Sequence, residues 1–208
     1  MAYSDFSLQE AAKRFQLTIE EQEHLFALTP EVSPGELLQA ILAEHVPLAL
    51  ALSTEKARSE LIIAPVLVEV RKLAQRQISL FSGVDFPVDA AQGLNGVCDF
   101  LLAQSREQFF IRAPVAVIVE AKNENFTTGL GQCAAMMVAA QIYNAREETG
   151  LTTMYGAVTT GNVWKFLRLD GQRLAIDQPE YYIERIGKIL GILLTMVGHR
   201  PGALAGAA

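Results

Sequence analysis

The chain has 208 residues, of which half are hydrophobic and 19% are charged, a composition typical of one folded domain and not of a disordered, collagen-like or disulfide-rich chain. Its 23 acidic residues outnumber its 17 Lys and Arg residues, which gives a formal charge of -6 and no general basic face. The amino terminus shows no signal-peptide pattern, and no stretch is long and apolar enough for a bilayer, so we expect a soluble cytoplasmic protein without a membrane partner.

Capping patterns predict helices in the first 52 residues. Ser7, Thr18 and Ser33 each precede a segment rich in helix-forming residues, and hydroxyl side chains are common caps at helix starts. We therefore expect three short helices between Ser7 and about Leu50. Together they would form an N-terminal helical extension, residues 1–52, packed on the core.

A longer helix is expected from Ser53 or Thr54 to about Lys72. A proline inside a helix removes one main-chain hydrogen bond, so we expect a bend or break near Pro65. The second half of this segment is apolar nearly all round, which predicts burial. Two acidic residues on it, Glu60 and Glu69, must therefore either reach the surface or point into a polar site.

From residue 78 onward the hydrophobic period changes to that of strands, with Gly, Pro and Asp between them. The pattern predicts strands over residues 78–86, 96–103, 115–121, 153–160 and 163–169, a helix over 128–148 and a final helix over 179–197. A Thr-Gly-Asn turn at residues 160–162 makes the last two strands a hairpin. We expect residues 53–199 to form the α/β core and residues 200–208 to form a flexible tail.

Two short segments carry the residues suited to chemistry. Side chains alternate along a strand, so Glu120 and Lys122 project from one face at the end of an apolar strand. On the preceding strand, Asp99 shares a face with Leu101. If the two strands form an antiparallel hairpin, residues whose numbers sum to about 219 lie opposite each other, which places Asp99 beside Glu120.

Two adjacent carboxylates repel each other unless one is protonated or a cation lies between them. A hard divalent ion resolves this conflict, because Mg²⁺ prefers oxygen ligands and keeps several waters. Asp99, Glu120 and the Ala121 main-chain carbonyl would make a suitable ligand set. Lys122 could then orient or deprotonate an attacking water, or neutralise charge on a phosphate. These groups suit metal-assisted phosphodiester hydrolysis.

Asp99, followed after 20 residues by Glu120-Ala121-Lys122 on an apolar strand, resembles the PD-(D/E)XK nuclease superfamily. The resemblance implies a restriction-endonuclease-like fold, an αβββαβ core with a mixed central sheet. It also implies a nuclease that uses Mg²⁺ or Mn²⁺ on nucleic acid, DNA rather than RNA. Cys98 stands where that family often has the proline of its motif.

The same resemblance implies further site residues. Members of the family often use an acidic residue of the first core helix to organise the metal, and two candidates lie there. The run from Thr54 to Leu67 is similar to the N-terminal nuclease region of type I restriction enzyme motor subunits, which favours Glu55, whereas the spacing in junction-resolving relatives favours Glu60. Several branches also carry a glutamine early in the helix after the motif, which Gln132 matches.

Other interpretations remain open at this stage. Asp99, Glu120 and Lys122 could be solvated residues at strand ends, and Glu60 could simply pair with Lys56 four residues earlier. The acidic charge also fits a non-catalytic module of the same fold that acts through protein partners. Oligomeric state is open between a monomer and a homodimer. If seven basic residues cluster around the cleft that holds these acids, DNA is favoured as the substrate. They are Arg58, Arg71, Lys72, Arg76, Arg106, Arg112 and Lys165.

Overall fold

The computed structural model describes residues 1–123 and 126–199. Within them, eight strands form one mixed sheet in the order β1-β7-β6-β5-β4-β3-β2, with β8 pairing with β6 off this path. β4 and β5 are parallel, as are β1 and β7, and the other neighbours are antiparallel. The strands are β1 (Thr18–Gln22), β2 (Ser79–Asp85), β3 (Val97–Ala103), β4 (Val115–Ala121), β5 (Thr153–Thr159), β6 (Val163–Asp170), β7 (Arg173–Asp177) and β8 (Tyr181–Tyr182).

Helices cover both faces of the sheet. They are α1 (Leu8–Phe15), α2 (Glu36–Leu52), α3 (Glu55–Arg58), α4 (Ala64–Leu73), α5 (Phe126–Arg146) and α6 (Ile186–Met196), and short helical turns span Tyr3–Asp5, Ala90–Gln92 and Ile183–Arg185. One hydrophobic cluster joins the sheet to α2, α4 and α6, and a second joins it to α1 and α5. The fold is therefore α/β with a mixed sheet, as predicted, and the helices form a layer on each face of it.

Strand alternation explains why the sheet has two apolar faces. In β4, Val117 and Val119 belong to the first cluster while Ile118, between them, belongs to the second, and every residue of the strand is buried. A strand that is apolar on both sides is typical of the centre of a sheet covered by two helical layers. From α3 to β5 the order of elements is α, α, β, β, β, α, β, the first two helices being two parts of one segment.

The prediction of a helix after Thr18 is wrong. This residue begins β1, which pairs in parallel with β7, and Arg173 of β7 donates hydrogen bonds to the Glu20 carboxylate. Because the pairing partner lies about 150 residues away, long-range contacts outweigh a weak local preference for helix. Residues 1–52 are accordingly not a purely helical extension, since β1 belongs to the central sheet.

The predicted strands from β2 to β6 and the β5–β6 hairpin are confirmed. The structure corrects the sequence prediction after them. Residues 173–177 form a strand, β7, for which we predicted none, and the final helix begins at Ile186 because the segment predicted as its start forms β8 and a short helical turn. The predicted tail, residues 200–208, lies outside the described residues.

The expected irregularity near Pro65 is a π-helical turn, Ser59–Ile63, between α3 and α4. Pro65 has no main-chain N–H, so it leaves the carbonyl of Leu61, four residues earlier, without its helical partner. The His45 ring accounts for that carbonyl, with Nδ1 3.0 Å from Leu61 O. Turns of this kind occur frequently at functional sites, and this one borders the candidate site.

No helix in the described ranges is long and apolar enough to cross a membrane. Both cysteines, Cys98 and Cys133, are buried free thiols, as their lack of paired spacing predicts.

Candidate active site

The β3–β4 hairpin has the register that the sequence predicts. Phe100 lies opposite Val119, and the following pairs keep that register to the middle of both strands. One step outward, the same register places Asp99 opposite Glu120. The ends of the two strands stay adjacent there, because the Ala121 main-chain N–H donates a 2.8 Å hydrogen bond to Asp99 Oδ2.

Glu120 is a buried acid with one unpartnered oxygen. Its side chain is 1% exposed, and Oε1 lies 2.5 Å from Lys122 Nζ, whereas Oε2 has no hydrogen-bond partner in the described residues. Burial, reinforced by the charge of Asp99, raises the pKa of Glu120 to about 8, although the Lys122 ammonium opposes the shift. The site therefore disfavours a second negative charge unless more positive charge is brought to it.

Lys122 is fixed from both its main chain and its side chain. Its N–H donates to Thr159 O at 2.8 Å, which ties the end of β4 to β5. A Cβ on Gly129 of α5 would stand 3.0 Å from Lys122 Cγ, so the absence of a side chain there makes room for the lysine stem. Burial works to lower the pKa of Lys122, but the nearby acids, led by Glu120, raise it above its ordinary value. The ammonium therefore stays charged at neutral pH.

A cleft of about 250 Å³ opens where these strand ends face the irregular helix. Strands β2, β3 and β4 provide one wall, while α3 and the π-helical turn provide the other. Asp99 and Ala121 therefore share one cleft with both acidic candidates from the helix. Its lining residues are Glu55, Lys56, Ser59, Glu60, Ser82, Gly83, Asp99 and Ala121.

The two helix acids differ in their surroundings. Glu60 forms a 2.7 Å ion pair with Lys56, and both side chains are mostly exposed, so the alternative interpretation of Glu60 as a surface partner of Lys56 is confirmed. Glu55 lies close enough for its charge to raise the pKa of Lys122. Its carboxylate thus acts on the same group as Glu120, which makes Glu55 the stronger candidate for the site.

Gly83 is a cleft residue that the sequence interpretation did not single out. The β2–β3 pairs on either side of it leave Gly83 opposite Asp99, and its φ of +60° is one that side chains rarely adopt. No atom lies within 4 Å of the position where a Cβ would stand. The signal was available, because a glycine inside a strand pattern often marks a bulge or a close approach.

Gln132 is half-buried on α5. It does not line the cleft, and no hydrogen bond within the described residues joins it to Asp99, Glu120 or Lys122. The assignment of Gln132 to the site therefore rests on the resemblance to a family motif, and its role stays a prediction.

The basic residues do not gather around the cleft. Arg58 is buried, and its guanidinium donates to Thr160 O at 3.0 Å and to Asn162 Oδ1 at 2.9 Å. Among the described residues, Lys56 is the one cation in the cleft lining, and Lys122 lies behind it. None of the seven basic residues named in the sequence analysis lines the cleft, so this side of the molecule gives little electrostatic attraction for a polyanion.

The donor set fits a hard divalent cation in type but is small. Across residues 1–123 and 126–199, no group of three or more His, Cys, Asp or Glu side chains is placed to hold a metal ion. Two carboxylates and the Ala121 carbonyl would leave further positions for water, which Mg²⁺ retains readily. The unpartnered, buried Oε2 of Glu120 is the observation that favours a cation here, since a buried oxygen without a partner is unfavourable.

Comparison with protein-family models finds no match to this chain. A search of curated proteins likewise finds no significant relative. The functional interpretation therefore rests on the residues of the cleft and on their geometry.

Proposed function

We propose that this protein is a metal-dependent phosphodiester hydrolase, a nuclease of the PD-(D/E)XK type with the restriction-endonuclease-like core, acting on DNA rather than RNA. The observation that carries the proposal is the position of Asp99 in the cleft lining, next to Glu120, which is buried behind it with one unpartnered oxygen and is paired with the charged Lys122. The αβββαβ order of elements supports the same assignment.

The residues would divide the work as follows. Asp99, Glu120 and the Ala121 carbonyl would hold Mg²⁺ or Mn²⁺, and the bound cation would polarise the phosphoryl oxygen and lower the pKa of its water. Because its ammonium stays charged, Lys122 would orient the attacking water and stabilise negative charge on the phosphate rather than remove a proton. Glu55 would hold outer waters of the site, and Gln132 would position the start of α5.

The Asp99 hydrogen bond to the Ala121 N–H has a direct consequence for this role. It occupies one lone pair of Oδ2 and fixes the orientation of the carboxylate before any ligand arrives. Fixed ligands reduce the reorganisation needed at a metal centre. Asp99→Asn would keep a similar shape and lose the charge, so it separates the electrostatic role from the structural one.

The test is cleavage of duplex, single-stranded and branched DNA and of RNA with Mg²⁺ or Mn²⁺. We expect metal-dependent cutting of DNA that falls at least about a hundredfold in Asp99→Asn and Lys122→Ala, within the range that a metal-site or electrostatic group contributes. Matched controls are Glu21→Ala on edge strand β1 and Lys13→Ala on α1, both exposed, which should retain activity. Cutting that survives in Asp99→Asn would refute the assignment.

A second candidate function is favoured by the charge distribution around the cleft. The absence of a basic cluster in its described lining fits a non-catalytic module that keeps the fold and acts through protein partners. Titration calorimetry with Mn²⁺ distinguishes the two. Heat of binding that disappears in Glu120→Gln supports the nuclease, whereas no binding and no cleavage on any substrate support the module.

A further inference from the structure

One group of basic residues lies at the end of the sheet opposite the cleft, and its charge is partly offset because Lys72 forms an ion pair with Glu69. Five of the 17 Lys and Arg residues lie in two short segments, three in and just after the last turn of α4 and two in the loop between β3 and β4. The two segments touch, because Arg106 Nε donates a 2.6 Å hydrogen bond to Gln77 Oε1. These residues are Arg71, Lys72, Arg76, Arg106 and Arg112.

Two exposed phenylalanines lie in the centre of this basic region. Phe109 is 97% exposed and Phe110 is 59% exposed, although each is a large apolar side chain that would ordinarily be buried. Both lie between Arg106 and Arg112 in the same loop, and both arginines are exposed. We name the set Arg106, Phe109, Phe110 and Arg112 the aromatic–arginine loop.

The loop is held in place, so the exposure of its rings is a fixed feature of the fold. Gln108 bonds both main-chain groups of Leu80 at the start of β2, accepting from the N–H and donating to the carbonyl. Phe109 N–H donates to Glu107 Oε1 at 2.9 Å, and Tyr143 of α5 donates to Ile111 O at 3.0 Å. The main chain of the loop is thereby ordered before any ligand binds, which reduces the conformational freedom lost on binding.

We propose that the aromatic–arginine loop binds a single strand of nucleic acid. Unpaired bases stack on aromatic rings whatever their sequence, while arginines contact the phosphates and stack on bases. Within the loop the two arginines outnumber the one acid, Glu107, whose carboxylate accepts a hydrogen bond from the Phe109 N–H, while Glu147 lies beside Tyr143. Charge complementarity favours a polyanion over an uncharged apolar partner.

This site is separate from the cleft and does not require it to be catalytic. β3 carries Asp99 near one end and leads into the loop after Ala103, and four residues of strand span about 13 Å. If the proposed nuclease activity is also correct, the loop would hold a strand beyond the reacting phosphate. If the protein is a non-catalytic module, the loop would still bind the strand.

The test is fluorescence anisotropy of a labelled oligothymidylate of about 20 nucleotides, longer than the roughly 4–16 nucleotides that one small domain covers. The full chain is used in EDTA, so that no cleavage can occur. We expect Phe109→Ala/Phe110→Ala to weaken binding at least about tenfold, because stacking on each ring contributes that order of affinity. Arg106→Gln/Arg112→Gln should reduce the slope of log affinity against log salt by about 1.4, the value for two phosphate contacts on a single strand.

Matched controls alter exposed residues elsewhere. Leu28 is 99% exposed, so Leu28→Ala tests loss of an apolar surface group, and Lys13→Gln tests loss of one charge; both should keep affinity within about twofold. Because the measurement in EDTA needs neither metal nor cleavage, its outcome is independent of the nuclease proposal. Circular dichroism melting confirms that each variant is folded.

The proposal is overturned by an absence of binding or by binding that neither loop variant changes. It is likewise overturned if the wild type instead binds vesicles of phosphatidylcholine and phosphatidylserine, or forms a dimer in gel filtration, and the phenylalanine variant alone loses that property. Those results would assign the loop to a membrane surface or to a second copy of the chain.

Discussion

Replacing Glu120 with glutamine should change how the stability of the metal-free protein depends on pH. Burial and Asp99 raise the pKa of this carboxyl to about 8 in the folded protein, while in the unfolded chain it keeps the ordinary value near 4.5. A group whose pKa is raised by folding contributes stability that is fully present below its unfolded pKa and is lost as pH rises through its folded pKa. Glutamine has a similar shape and does not ionise.

The size of the effect follows from the two pKa values. One pKa unit corresponds to about 1.4 kcal/mol, so the free energy of unfolding of the wild type should fall by about 4 kcal/mol between pH 5 and pH 9 through this group alone. The pKa of Lys122 lies above its usual value, so this lysine stays protonated throughout that window and adds no slope of its own. Glu120→Gln should lack this loss.

Urea unfolding in EDTA at pH 5, 6, 7, 8 and 9 measures the difference. We expect the variant to gain stability relative to the wild type as pH rises, by about 4 kcal/mol over the whole range. Glu21→Gln, an exposed acid on β1, should show no such trend. A difference between wild type and Glu120→Gln that stays constant to within about 1 kcal/mol would refute the reasoning about the buried carboxyl.

Two further substitutions test how the cleft is supported. Arg58→Met should lower the free energy of unfolding by about 2 kcal/mol in urea titrations, because it removes hydrogen bonds to two acceptors in the β5–β6 turn; unchanged stability would contradict this account. Gly129→Ala should lower it by about 1–3 kcal/mol, because the new Cβ would stand 2.5 Å from Val158 Cγ1 and 3.0 Å from Lys122 Cγ. A melting temperature equal to that of the wild type would show that α5 can shift at no cost.

The sequence predicts most of the site's strand side because that part is local. Asp99 and Glu120 lie in neighbouring strands of one hairpin, so alternation and a single turn position fix their pairing. The same holds for the β5–β6 hairpin. In such segments the hydrophobic period and the turn residues act together, and no distant contact is needed to decide the structure.

Other features depend on contacts that sequence patterns do not show. β1 and β7 are short strands that pair with each other across about 150 residues of sequence. Local preference therefore predicted a helix where β1 lies and no element where β7 lies. The choice between Glu55 and Glu60 depends on the angle at which the irregular helix meets the sheet. The basic residues lie away from the cleft because of how the helices and strands that carry them are arranged in the fold, and a sequence pattern does not show that arrangement.

The mixed pairing around β4 also bears on the order in which the cleft is assembled. An 11-residue connection, residues 104–114, joins β3 to β4, and another, residues 86–96, joins β2 to β3, so the strand wall with Asp99 and Glu120 closes through contacts nearer in sequence than those that bring in β5. β5 reaches β4 only after α5 (Phe126–Arg146) has crossed the sheet, and contacts of such separation form more slowly. We therefore expect the two acids to come together before the Thr159 carbonyl is in place to hold the Lys122 main chain, while the Lys122 ammonium, two residues from Glu120, is available to the acids from the start.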